Sequence, residues 1–226
     1  MSYTSYADLG GKDGFGRIYP GSVPEPEGEL FHADWEPRAL ALTLAMGATG
    51  SWNIDQSRAA RETLPSYLNL NYYEIWFEAL QKLLAERGLV QPDEIAAAKA
   101  LHPALPVPRV LQAGKVATAL ATGSSTQRPT TTPARFAVGQ VVRTTAHQAP
   151  HHTRLPGYAR GKCGVVERLH GTHVFADDNA KGLPDKGMGV GHWLYTVVFD
   201  AAELFNDAAP GVTVSIDAWE AYLEAA

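Results

Sequence analysis

A run of prolines, threonines and small residues from 102 to 133 divides this 226-residue chain into two parts of different periodicity. Pro103, Pro106 and Pro108 open it, and Ala-Thr-Gly-Ser-Ser-Thr-Gln-Arg-Pro-Thr-Thr-Thr-Pro closes it at Pro133. Such a segment has too few large apolar side chains to bury a core and reads as a linker. Upstream, residues 31–101 read as helical. Asp34 is the expected cap of a helix entering at Trp35-Glu36-Pro37, with Leu40, Leu42, Leu44 and Met46 as its apolar residues. Asp55 is the expected cap of a segment from Gln56 to Leu64, stopped by Pro65. From 71 to 87, Ile75, Trp76, Leu80, Leu83 and Leu84 share one helical face, and Gly88 ends the run. Pro92-Asp93-Glu94 opens a last helix, expected to reach about Leu101, with its acids at the positive end of the dipole.

Downstream, residues 134–226 read as β. Phe136-Ala-Val-Gly-Gln-Val-Val-Arg, Gly164-Val-Val-Glu-Arg-Leu, His173-Val-Phe-Ala, Leu194-Tyr-Thr-Val-Val-Phe-Asp and Val212-Thr-Val-Ser-Ile-Asp are short apolar runs, with Gly171 read as a turn. Ala201 to Phe205 reads as a short helical turn, and Trp219 to Leu223 as a last strand or a closing turn. Strands of this length and spacing point to a small antiparallel barrel. Residues 1–30 are rich in Gly, Pro and Tyr and read either as a flexible tail or as an extended arm that orders against a partner, for which Leu9, Phe15 and Ile18 are available to bury.

Several function classes drop out on composition. A net charge of −5 gives no footprint for nucleic acid. No apolar stretch is long enough to span a bilayer, and the polar start does not resemble a signal peptide, so a cytoplasmic protein is expected. The single cysteine, Cys163, excludes an intrachain disulfide framework and a multi-thiolate metal site, and it reads as an inert thiol. His147, His151 and His152 have helical spacing, but Pro150 interrupts them and no nearby Cys, Asp or Glu completes a set, so no metal is expected in this chain. The glycines from Gly10 to Gly16 lack the preceding strand and following helix of a nucleotide-binding loop.

The run from Arg154 to Gly164, Arg-x-Pro-x-Tyr-x-Arg-Gly-Lys-x-Gly, is too specific to be filler. Around it stand, in order, Asp8-Leu-Gly-Gly and Gly14-Phe-Gly, Phe31-His-Ala-Asp-Trp-Glu, Arg58-x-x-x-Glu62, Asn71-Tyr-Tyr-Glu, Phe136-x-Val-Gly-Gln-x-Val-Arg, Leu194-Tyr-x-Val-x-Phe, Glu203-Leu-Phe and Trp219-Glu-x-Tyr-Leu. The ordered set resembles the nitrile hydratase beta subunit over essentially the whole chain except residues 102–133. The resemblance implies an α+β protein: an extended N-terminal arm (1–30) and a helical domain (31–101), then, past the linker, an SH3-like antiparallel β-barrel (134–226). It implies an obligate alpha subunit in a heterodimer that can pair into a heterotetramer. That partner would carry low-spin Fe(III) or non-corrin Co(III) in a Cys-rich loop, two of whose cysteines are oxidised to sulfinate and sulfenate.

The resemblance also assigns roles. Arg58 and Arg154 would hydrogen-bond the oxidised cysteine oxygens, Glu62 would orient Arg58, and Tyr72 would line the substrate pocket. His152 would hydrogen-bond across the subunit interface. The chemistry suits arginine, whose charged, rigid fork of donors can hold buried anions bidentately where lysine cannot. An unpaired buried charge there would cost on the order of 3–5 kcal/mol. Without the resemblance, Arg58 is a solvated helix face with an i,i+4 partner in Glu62, Arg154 is a loop charge, and at least one of Tyr72 and Tyr73 is packing. Arg160 reads as a brace for its turn. Three other readings remain. A thiocyanate hydrolase subunit shares the scaffold but usually splits these halves over two chains. An activator resembles only the helical half. A non-catalytic SH3-like binding module would leave the motifs of residues 1–101 unexplained.

Overall fold

The computed structural model describes residues 5–12, 30–182, 190–206 and 208–226. Phe15 and Ile18 of the expected arm lie outside them. The chain divides into two compact units. Over the described residues, one comprises Ser5–Ala7 and Lys12–Thr122, and the other Asp8–Gly11 and Gly123–Ala226.

The first unit is helical. Helix α1 (Glu36–Ala48) has Pro37 in its first turn, and Trp35 holds the cap position without a side-chain cap. Asp34 is not the cap: buried Glu36 takes the amide of His32 at 2.6 Å instead. Helix α2 (Ile54–Glu62) begins two residues before the expected site. Asn53 is extended there, so its Oδ1 can accept from the amides of Asp55 and Gln56 at 3.0 and 2.9 Å, while the Gln56 side chain accepts from the Asn53 amide. Asp55 lies inside the first turn. Helix α3 (Tyr72–Glu86) starts from a capping box of Asn71 and Glu74, and Gly88 follows it at φ +65°. Helix α4 (Pro92–Ala97) stops short of the expected Leu101. Ala98 turns left-handed at φ +49°, and the Glu94 carboxylate takes the amides of Leu101 and His102.

Trp52, Ala60, Leu64, Ala79, Leu80 and Leu83 form the helical core. Burying Leu80 and Leu83 stabilises the unit by about 1.5–3 kcal/mol each, before entropy is counted. Helix α5 (Val116–Thr122) lies within the stretch read as linker and is exposed throughout.

The second unit is a five-stranded antiparallel sheet of β1 (Val141–Thr144), β2 (Cys163–His173), β3 (His192–Asp200), β4 (Thr213–Trp219) and β5 (Leu223–Ala225), in the order β4-β3-β2-β1-β5. Helix α6 (Ala176–Ala180) follows β2, and α7 (Ala201–Leu204) follows β3. Only a 3-10 turn, Glu220–Tyr222, separates β4 from β5, yet they lie at opposite edges. The sheet must therefore curl to bring its edges within a few residues' reach. Among the described residues no ladder joins those edges, so the observed architecture is a curled sheet, without the closure expected of a barrel.

Val142, Val166, Tyr195, Val197, Phe199 and Leu223 fill the sheet's core. Tyr195, Val197 and Phe199 alternate inward along β3, as strand geometry requires. Gly171 is not a turn. It sits inside the eleven-residue β2 at φ +91°, beside a shift in register against β3, so it makes a bulge in one continuous strand. Phe136 packs in the core, but the expected first strand is ordered as β only from Val141. Residues 125–133 have no core of their own and bond to strand ends. Gln127 bridges His173, the Arg128 amide donates to Thr172 O at 3.0 Å, and Trp193 Nε1 donates to Thr132 O at 2.8 Å.

Candidate functional site

In the helical unit the candidate residues gather where α2 faces the start of α3. The i,i+4 spacing points to Glu62 as the carboxylate for Arg58. The structure gives Arg58 Asp55 instead, three residues upstream on the inner face of α2, at 2.8 Å. Asp55 is buried, while the Arg58 side chain is 42 % exposed. Tyr72 is 64 % exposed and so is no core residue. Its ring meets Tyr73 edge-on at 5.2 Å and Trp76 at 5.6 Å, whereas Tyr73 packs on Phe31 at 5.4 Å. The packing role thus falls to Tyr73.

Sequence reading passed over Arg61. Its guanidinium lies 4.4 Å from the Trp76 ring centre and donates to the carbonyl and hydroxyl oxygens of Ser57. Burial lowers its pKa from the ordinary arginine value, and the Tyr72 hydroxyl opposes that shift. One turn beyond Arg58 and facing an aromatic helix start, it had a signal in the spacing.

In the β unit the turn after Arg154 is fixed at both ends. At its start, the Arg154 amide donates to the Tyr222 hydroxyl at 3.0 Å, and that hydroxyl donates to Asp177 Oδ1. His151 Nδ1 stands 3.9 Å from the other oxygen of Asp177. Leu155 then buries into the core. At the far end Asp8 closes the turn. Its Oδ1 accepts from the Gly157 amide at 2.9 Å and its Oδ2 from Arg160 at 3.0 Å. Arg160, read as a brace, also donates to the Leu155 carbonyl. A Cβ at Gly157 would come within 2.7 Å of Asp8 Oδ2, so the glycine is required for this approach.

Arg154 itself is exposed. His152, expected to reach a partner, is 2 % exposed in this chain alone and packs inside the β unit. Cys163 is a free thiol whose amide donates to Glu203. Asp177 and Tyr222, which hold the start of the Arg154 turn, were not singled out from the sequence. Tyr222 lies in the closing Trp-Glu-x-Tyr-Leu motif, but nothing local in the sequence marks Asp177. Among the described residues no group of three His, Cys, Asp or Glu could hold a metal, and no helix is long and apolar enough to cross a membrane.

Two family models match end to end. The nitrile hydratase beta subunit N-terminal model covers residues 3–119, and the C-terminal model residues 125–225. The chain is 38% identical to the low-molecular weight cobalt-containing nitrile hydratase subunit beta of Rhodococcus rhodochrous, over 96% of each chain. It is 34% identical to the nitrile hydratase subunit beta of Pseudomonas putida, over 97% of this chain and 98% of that one. It is 30% identical to the cobalt-containing nitrile hydratase subunit beta of Pseudonocardia thermophila, over 96% and 94%. A recombinant apo-enzyme chain of thiocyanate hydrolase from Thiobacillus thioparus aligns with 52% of this chain and 99% of its own length, at 25% identity and a TM-score of 0.41, which decides nothing between the two enzymes. With both models matched in order and relatives aligned over nearly their full length, this chain belongs to the nitrile hydratase beta-subunit family.

Proposed function

We propose that this chain is the β half of a nitrile hydratase, which with an alpha subunit carries out R–C≡N + H2O → R–C(=O)NH2. The curled sheet is the SH3-like barrel of that reading, and residues 1–30 are its arm. The working unit is an αβ heterodimer that can pair into a heterotetramer. The observation that carries the proposal is that both arginines of the family pattern stand where a partner can reach them, Arg58 on α2 and Arg154 on its braced turn.

Among the described residues of this chain no group of three His, Cys, Asp or Glu could hold a metal. In the reading, Fe(III) or Co(III) bound in the alpha chain supplies Lewis acidity. The cobalt-containing relatives make cobalt the metal to look for first. The part played by this chain is to bind and orient. Arg58 and Arg154 hold the anionic oxygens of the partner's oxidised cysteines, and Tyr72 lines the pocket that admits the nitrile. Asp55 steadies Arg58, and Glu62 sits one turn further along the same helix.

The test is to purify this chain with its partner, measure the metal, and assay acrylonitrile and thiocyanate side by side. A second chain with stoichiometric iron or cobalt and amide product supports the proposal. Thiocyanate turnover without nitrile hydration would move the chain to the other enzyme. A metal-free monomer without activity would leave a binding module.

A further inference from the structure

The turn carrying Arg154 is tied to a buried acid that none of the sequence motifs contains. Asp177 is 3 % exposed, and Tyr222 is buried with it against Phe175, ring centres 5.4 Å apart. A phenol has one proton, and that of Tyr222 goes to Asp177. The backbone amide of Arg154 can only donate, so it needs a lone pair on the Tyr222 oxygen, which the geometry provides at 3.0 Å. Burial raises the Asp177 pKa, with Tyr222, Thr153, His151 and His152 opposing that shift. A chain retaining an acid in such a place bears a cost that packing alone does not require.

We infer that Asp177 and Tyr222 are positioning residues for nitrile hydration: by accepting the hydrogen bond of the Tyr222 hydroxyl, Asp177 turns a lone pair of the Tyr222 oxygen towards the Arg154 amide, and so fixes the direction in which the Arg154 side chain leaves its turn. Neither touches the substrate. The inference rests on the role proposed above for Arg154.

The experiment uses the purified αβ complex and reads two quantities, hydrogen exchange at the Arg154 amide by mass spectrometry and the kcat and KM for nitrile hydration. Tyr222→Phe keeps the ring and removes the acceptor. It is expected to speed exchange at Arg154 by about tenfold and to lower kcat by about tenfold or more, with KM little changed. Asp177→Ala should do the same, and Asp177→Asn, which keeps an acceptor for the hydroxyl, should recover most of the loss. Unchanged exchange at Arg154 in both Tyr222→Phe and Asp177→Ala overturns the inference. So does faster exchange with unchanged kcat. Arg154→Lys tests the underlying role separately. If it retains full turnover, the reading of Arg154 fails whatever the exchange data show. If it is inactive while Tyr222→Phe turns over normally, only the positioning role fails.

Discussion

Arg58 and Arg154 are presented by opposite means. Arg58 is held through its side chain by Asp55, a carboxylate three residues away on the same helix. Arg154 is held through its backbone, by a hydroxyl 68 residues further on, while Asp8, 149 residues upstream of Gly157, closes its turn. A helix carries its own geometry, so a local pair is enough to steady a side chain on it. A turn has no such internal ladder and must take its shape from distant groups. Nearby substitutions should therefore perturb the first arginine mildly, and remote ones should perturb the second strongly.

The largest effects come from the arginines themselves. Arg58→Lys and Arg154→Lys should each lower kcat about 10²–10³-fold, as loss of a preorganised donor does, while thermal unfolding of the complex stays near wild type. Normal turnover in both would remove the basis for comparing them. Next comes the clasp. Asp8→Ala breaks a partly buried ion pair and leaves the Gly157 amide without its acceptor, and should cost about 1–3 kcal/mol in urea unfolding. Asp55→Asn, by contrast, should cost no more than a few tenths of a kcal/mol, because Arg58 is well exposed and screened. If Asp55→Asn proved the more damaging of the two, the contrast between local and remote support would be reversed.

The smallest effect is a slope with pH. Burial raises the Asp177 pKa, so the folded chain holds that proton more tightly than the unfolded one. Its contribution is present below the ordinary carboxylate value and is lost as pH rises through the raised folded value. Stability measured from acid to neutral pH should show that decline in the wild type and lose it in Asp177→Asn. An identical slope in both would place the proton elsewhere.

The same local-to-remote divide governs what the sequence discloses. The stripe of Leu80 and Leu83 and the stop at Gly88 are written in consecutive residues, and α3 follows them closely. Asn53 displaced Asp55 as a cap because backbone conformation, not residue type alone, selects the capping position. Gly171 misled because a positive φ serves a bulge as well as a turn, and only the partner strand tells them apart. In the proposed site, Arg58, Arg154 and Tyr72 are the residues that ordered motifs single out. Asp177 is not among them, since its meaning lies in Tyr222, 45 residues away. The partner of Arg58 was misjudged for a smaller reason: two carboxylates flank it at helical spacing, and burial of Asp55 decides between them.

The Asp8 clasp sets a constraint on the order of synthesis. Gly157 and Arg160 lie 149 and 152 residues after the carboxylate they bind. At typical elongation rates the ribosome needs on the order of ten to thirty seconds to bridge that interval. Throughout it, Asp8 has been synthesised and its partners do not yet exist. The turn bearing Arg154 therefore gains one of its two anchors only when a newly made segment meets one made about 150 residues earlier. A chain released before Gly157 would carry a complete α1 to α4 and an acid with nothing to clasp.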